Sequence, residues 1–200
     1  PCTTLNYTVT VKNTGNMGGD NYNLTVRDTE NWGPTLDNYQ FKNIPENENL
    51  TTTLHVHVPV NAIGCTNDII TVTATSQGDN TKSDNASCIA HATIVRGVEV
   101  SISPSYRSGP EGATLNYVVT IVNTGNVTDS YTLSASDTEN WGPGLSENQF
   151  DSVPPFENDE RETTLSVTIP DNAVPCTKDN ITVTATSKEN GMVSAENSCI

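Results

Sequence analysis

At 200 residues the chain has room for one large domain or two small ones, and 34% hydrophobic with 6% aromatic residues allows only lean cores. A formal net charge of −15 sets the surface against nucleic acid and anionic membrane, either of which would repel it. No run approaches the roughly 20 apolar residues of a spanning helix, so no membrane insertion is expected within this segment.

The opening Pro1-Cys2-Thr3-Thr4 has neither the basic start nor the apolar stretch of a secretion signal. If the protein is exported, the signal has been removed or lies upstream. The first predicted strand follows at once: Leu5, Tyr7, Val9 and Val11 alternate with Asn6, Thr8, Thr10 and Lys12, the period-two pattern of a half-buried strand. Asn13-Thr14-Gly15-Asn16 ends it as a turn. Further strands carry Tyr22, Leu24 and Val26, then Leu54, Val56 and Val58, then Ile70, Val72 and Ala74. Trp32-Gly33-Pro34 and Gln77-Gly78-Asp79-Asn80 supply turns between them.

The same series then begins again. LNYTVTVKNTGN from Leu5 returns as LNYVVTIVNTGN from Leu115, DTENWGP at 28–34 returns unchanged at 137–143, and DIITVTATS at 68–76 returns as DNITVTATS at 179–187. Only single-residue insertions or deletions separate the copies, which predicts two domains of one fold, over residues 1–95 and 96–200. The second copy repeats the inward set as Leu115, Tyr117, Val119 and Ile121, then Tyr131, Leu133 and Ala135, Leu165, Val167 and Ile169, and Ile181, Val183 and Ala185. About seven short strands per copy and no helical period predict an all-β chain of two tandem immunoglobulin-like β-sandwiches.

Cysteines recur with the same spacing, Cys65 with Cys88 and Cys176 with Cys199. In each copy the first precedes a strand and the second ends the next. Antiparallel pairing of those strands is expected to bring the sulfurs together, with one disulfide per domain contributing about 2–4 kcal/mol and implying an oxidising compartment. The rival readings are buried free thiols or a metal site, and a metal would want ligands that no CxxC or Cys/His cluster provides.

The order Y-x-V-T-V-x-N-T-G-N, then Y-x-L-x-V, W-G, V-P-x-N-A and D-x-I-T-V-T-A-T-S resembles CARDB-like (cell-adhesion-related) immunoglobulin-like repeats of archaeal and bacterial surface proteins. The resemblance covers nearly all of both copies and is a pattern of fold, not of catalysis. It implies a sandwich used as spacer, adhesin module or envelope component on the cell surface. Paired cysteines depart from what is expected of most such repeats.

Several side chains invite chemistry. His55 and His57 share one outward strand face, as an H-x-H metal pair would, but Ser166 and Thr168 replace them in the second copy and His91 lies far along the chain. Exposed strand histidines are the better reading, and no metal site is expected. Asp28, Glu30 and Asn31 carry oxygens of the kind calcium takes, and Trp32 and Trp141 offer faces for stacking on a sugar ring, yet the acidic spacing fits no known calcium loop. The favoured reading has each Trp capping its sandwich while Gly-Pro turns the chain. The acidic run at 157–162 reads as a solvated loop. N-glycosylation sequons stand at Asn6, Asn23, Asn49, Asn85, Asn126 and Asn180, about as many as this composition gives by chance. With no nucleophile motif, no phosphate loop and no histidine in the second copy, no enzyme is expected.

The sequence therefore predicts an extracellular structural or adhesive repeat protein whose partners are copies of itself or adjoining repeats, head to tail, with glycans as further ligands. Alternatives are a carbohydrate-binding module and an accessory part of a larger secreted protein. Residues 89–114 are expected to hold both the joint, at a restricted angle, and a leading strand of the second domain at 97–103. No counterpart stands before Leu5, so the segment reads as cut at both ends relative to its own repeat, with a neighbour supplying the strand. Cys2, matching Gly112 and lacking a partner, is expected to bond to the adjoining segment.

Overall fold

A computed structural model describes residues 3–156 and 159–200, and every regular element in them is a strand. The chain divides into two compact units, Pro1–Thr93 and Ile94–Ile200. The first holds β1 (Thr3–Lys12), β2 (Asp20–Arg27), β3 (Thr35–Leu36), β4 (Gln40–Ile44), β5 (Asn49–Val58), β6 (Asn67–Ser76) and β7 (Ser83–His91). The second holds β8 (Val98–Ser103), β9 (Thr114–Asn123), β10 (Asp129–Asp137), β11 (Gly144–Leu145), β12 (Gln149–Val153), β13 (Arg161–Thr168), β14 (Ile181–Ser187) and β15 (Ser194–Cys199).

Each unit is a pair of antiparallel sheets. In the first the orders are β1-β5-β3 and β4-β2-β6-β7, and in the second β11-β13-β9-β8 and β12-β10-β14-β15. The period-two alternation sets what lies between them. On β5, Leu54, Val56 and Val58 are buried while His55 and His57 look outward. Burying such an aliphatic side chain is worth about 1.5–3 kcal/mol, so a one-residue slip of register would be prohibitive. Both sheets of each unit feed one core. In the first it joins Val11, Leu24, Leu54, Ile70 and Ala90, and in the second Ile121, Leu133, Leu165, Ile181 and Cys199. These are β-sandwich arrangements.

The turns repeat as closely as the strands. Buried Asn13 donates from Nδ2 to the carbonyls of Gly18 and Ile44, while its Oδ1 accepts the Gly15 amide at 2.9 Å. Asn123 does the same with Val127, Val153 and Gly125. The asparagine thus satisfies backbone groups that the turn would otherwise leave orphaned. A bulge interrupts β2–β4 between Asp20 and Tyr22, and another interrupts β10–β12 between Asp129 and Tyr131.

One element breaks the symmetry. β8 covers the outer edge of β9, from Val98 opposite Asn123 to Ser103 opposite Val118. β1 is the counterpart of β9, and among the described residues nothing pairs with its outer edge. Burial follows: Tyr117 and Val119 of β9 are 1% and 0% exposed, whereas Tyr7 and Val9 of β1 remain half-exposed.

The expected disulfides are not formed: Cys65, Cys88, Cys176 and Cys199 are free. Register explains it. Cys88 lies opposite Ile70, and Cys199 opposite Ile181. Cys65 sits before β6 and gives its amide to the carbonyl of Ala92 at 2.8 Å, so Ala92 and not Cys88 faces it. Cys88 and Cys199 turn toward their cores, while Cys65 and Cys176 are exposed at φ of 69° and 68°.

Candidate binding surfaces

The twice-kept DTENWGP loop is fastened from beneath by an aspartate. Asp68, 0% exposed, accepts on Oδ1 the amides of Thr29 at 2.9 Å and Glu30 at 3.1 Å, with the Thr29 hydroxyl. Asp179 does the same for Thr138 and Glu139, each amide at 3.0 Å. The threonine hydroxyl in turn accepts the amide of Ile69 or Asn180. Higher in the loop, Asp28 and Asp137 accept the amides of Gly33 and Gly142, which sit at φ of 69° and 74° where glycine is favoured. Asp28 thus serves its own turn. Among the described residues no three metal-ligating side chains gather around one point.

Trp32 and Trp141 are half-buried and pack on their units' cores. Beside each lies an open cleft. One of about 330 Å³ is lined by Glu30, Asn31, Trp32, Asn61 and Thr66, and one of about 340 Å³ by the matching Glu139, Asn140, Trp141, Asn172 and Thr177. The indole, two amides and a carboxylate, with Pro59 and Ile63 or Pro170 and Val174, line an open niche on both units.

The histidines do not converge. His55 meets Asn6 Oδ1 at 2.7 Å and Asp37 Oδ1 at 2.9 Å, His57 meets the Thr4 hydroxyl, and His91 meets Asn67. The bond from His55, and a lesser one from Thr53, hold the Asp37 carboxyl below its ordinary range. Burial first, and then nearby Asp179, pushes the Cys199 thiol up to about 11, and the same causes raise Cys88 beside Asp68. Among the sequons, Asn6, Asn23, Asn49, Asn85 and Asn180 are exposed. Asn126 is 1% exposed and its Oδ1 takes the Val95 amide, so the folded unit does not present it to solvent. Cys2, with Glu157 of the acidic run, lies outside the described residues.

Sequence reasoning missed Asp68 and Asp179, although each opens a duplicated strand motif. An aspartate at the head of an otherwise apolar strand is the signal, because a buried carboxylate must find donors. Compared with known proteins, the chain matches no family model, and no curated protein is significantly similar to it.

Proposed function

We propose that this chain is a structural or adhesive extracellular repeat protein, built of immunoglobulin-like units that join head to tail in a filament or cell-envelope layer. The observation carrying this reading is the close duplication of one antiparallel sandwich along the chain, as in an array of repeats. A contact that joins one end of a molecule to the other end of the next repeats without closing, and so builds filaments. The acidic surface and the resemblance to cell-surface repeats support the extracellular assignment; the free cysteines lend it nothing. Negative-stain microscopy and sedimentation of the full chain test it: fibres or concentration-dependent oligomers are expected, and a strictly monomeric chain at high concentration argues against it.

A second reading, carbohydrate binding, is favoured by the matching clefts beside Trp32 and Trp141. Their half-buried indoles leave part of each ring for a sugar face. Glycan-array binding that is lost in the Trp32→Ala, Trp141→Ala double variant would establish it. An array without signal for the unaltered chain would remove it.

A further inference from the structure

The clefts beside Trp32 and Trp141 keep their linings while the residues around them change. Residues 59–69 of the first copy correspond one to one with 170–180 of the second. Pro59, Asn61, Ala62 and Thr66 line one cleft and return unchanged as Pro170, Asn172, Ala173 and Thr177 in the other. Ile63 returns as Val174, still aliphatic and still exposed. Positions outside the lining diverge sharply: Val60 becomes Asp171, Gly64 becomes Pro175, Asn67 becomes Lys178 and Ile69 becomes Asn180. Besides the lining only Cys65 and Asp68 are kept, and Asp68 has its fastening role.

Part of this lining serves the turns themselves. Asn31 and Asn140 sit at φ of 57°, a left-handed backbone that asparagine accepts more readily than most residues. Pro59 and Pro170 close their turns by accepting the amides of Ala62 and Ala173. Glu30, Asn61 and their twins Glu139 and Asn172 have no such duty. All four are exposed, and among the described residues no hydrogen bond or ion pair engages their side chains. The walls that carry them are nonetheless fixed, because buried Asp68 and Asp179 hold the amides of Glu30 and Glu139. Carboxylate and indole therefore stand in place before a ligand arrives, and little ordering entropy is left to lose on binding.

We propose that each cleft binds an uncharged pyranose unit of a polysaccharide, with the ring on the indole and its hydroxyls on the flanking carboxylate and amides. The proposal rests on the carbohydrate reading above and names its ligand class. A ring whose hydroxyls are all equatorial shows only C–H groups on its faces, the surface that an indole and an adjoining Ile63 or Val174 accept. Its hydroxyls donate to Glu30 or Glu139, a charged acceptor, and the asparagine amides both donate and accept. At about 330 and 340 Å³ the clefts are at the small end of ligand sites, with room for one ring. Charge decides the class. Each lining holds a carboxylate and no cation, in a chain of net charge −15. An acidic sugar would set like charges side by side, which rejects it. Plain hexoses and acetamido sugars share the chemistry required.

The test titrates the full chain with cellohexaose, chitohexaose and a hexamer of galacturonic acid, following tryptophan emission and backbone amide shifts. Saturable binding of a neutral hexamer is expected, with shifts at residues 30–32, 61–66, 139–141 and 172–177. The acidic hexamer is expected to bind about tenfold more weakly or less. Whichever neutral hexamer binds better tells a plain hexose from an acetamido sugar. Removing the tryptophans would disturb the cores they pack on, so the deciding variant is Asn61→Ala with Asn172→Ala, which alters exposed side chains only. It is expected to weaken binding by about three- to tenfold while the unfolding midpoint stays unchanged. Glu30→Gln with Glu139→Gln is expected to narrow the gap between neutral and acidic hexamers. An acidic hexamer that binds at these residues as tightly as the neutral ones overturns the ligand class and leaves the carbohydrate reading standing. Neutral binding that ignores the asparagine changes also overturns the proposal. Shifts at these residues with decaproline and with none of the sugars would overturn the proposal and the carbohydrate reading together.

Discussion

The carboxylate of Asp179 accepts the backbone amide of Thr138 at 3.0 Å across a sequence separation of 41 residues. Its other oxygen is buried without a hydrogen bond in the described structure, as is that of Asp68. Three donors converge on the first oxygen, and bonds to a charged acceptor are worth about 1.5–3 kcal/mol each before coupling. Asp179→Ala is therefore expected to lower the unit's stability by about 2–4 kcal/mol. Asp179→Asn, which keeps a carbonyl acceptor, should cost less. Denaturant unfolding measures both, and Trp141 emission should shift to the red in the alanine variant because its loop has lost its fastening.

Thiol labelling of the native chain should separate two classes. Cys65 and Cys176 are exposed and should react readily with a maleimide, whereas half-buried Cys88 should react slowly and buried Cys199 only on unfolding. Burial has raised both inward thiols, Cys199 to about 11, so little thiolate exists near neutral pH. Mass spectrometry of a non-reduced digest should recover all four as free thiols. A Cys65–Cys88 or Cys176–Cys199 cross-link would contradict the register described above.

Equivalent core substitutions should cost different amounts in the two units. Val119 is 0% exposed beneath the β8–β9 pairing, while Val9 is half-buried at an open edge. Val119→Ala is expected to cost about 2 kcal/mol and Val9→Ala about half of that. Calorimetry of the two variants reads the difference directly.

Acid should weaken the N-terminal unit in part through Asp20. The Ser76 hydroxyl, followed by the amides of Asn21 and Gly78, holds its carboxyl below the ordinary value. A group lowered on folding contributes stability above its unfolded pKa, near about 4, and loses it as pH falls through the folded value. Stability measured from pH 6 down to pH 2 should therefore decline, and the decline should be shallower in Asp20→Asn.

Strand positions and the inward set were legible because alternation is a local property. Leu54 and Val56 announce their face whatever lies across from them, and the second copy repeats the statement. The Trp32 loop was legible as a turn for the same reason. Its fastening was not, since Asp68 is distant in sequence and its role depends on which backbone amides fold over it. The cysteine pairing failed on a matter of register. Two strands in sequence do pair, as β6 and β7 do, but hairpin turn and strand offset decide who faces whom, and they place Ile70 opposite Cys88.

By itself the sequence determined the duplication, the all-β character and the core of each unit, because two near-identical texts with a period of two admit few other folds. It also pointed to a leading strand at 97–103 in the second unit. Only the tertiary structure decided what that strand and the residues before it meet in atoms. Asn126, Gly125, Tyr131 and Asp129 come together around residues 95–97 because β9, its turn and the bulged start of β10 converge at one corner of the sandwich. Their counterparts Asn16, Gly15, Tyr22 and Asp20 read the same in sequence, yet Gly15 and Asn16 are exposed and the Tyr22 hydroxyl donates to Asn13 Oδ1. Side-chain type is local information, whereas occupancy of a surface belongs to the folded whole.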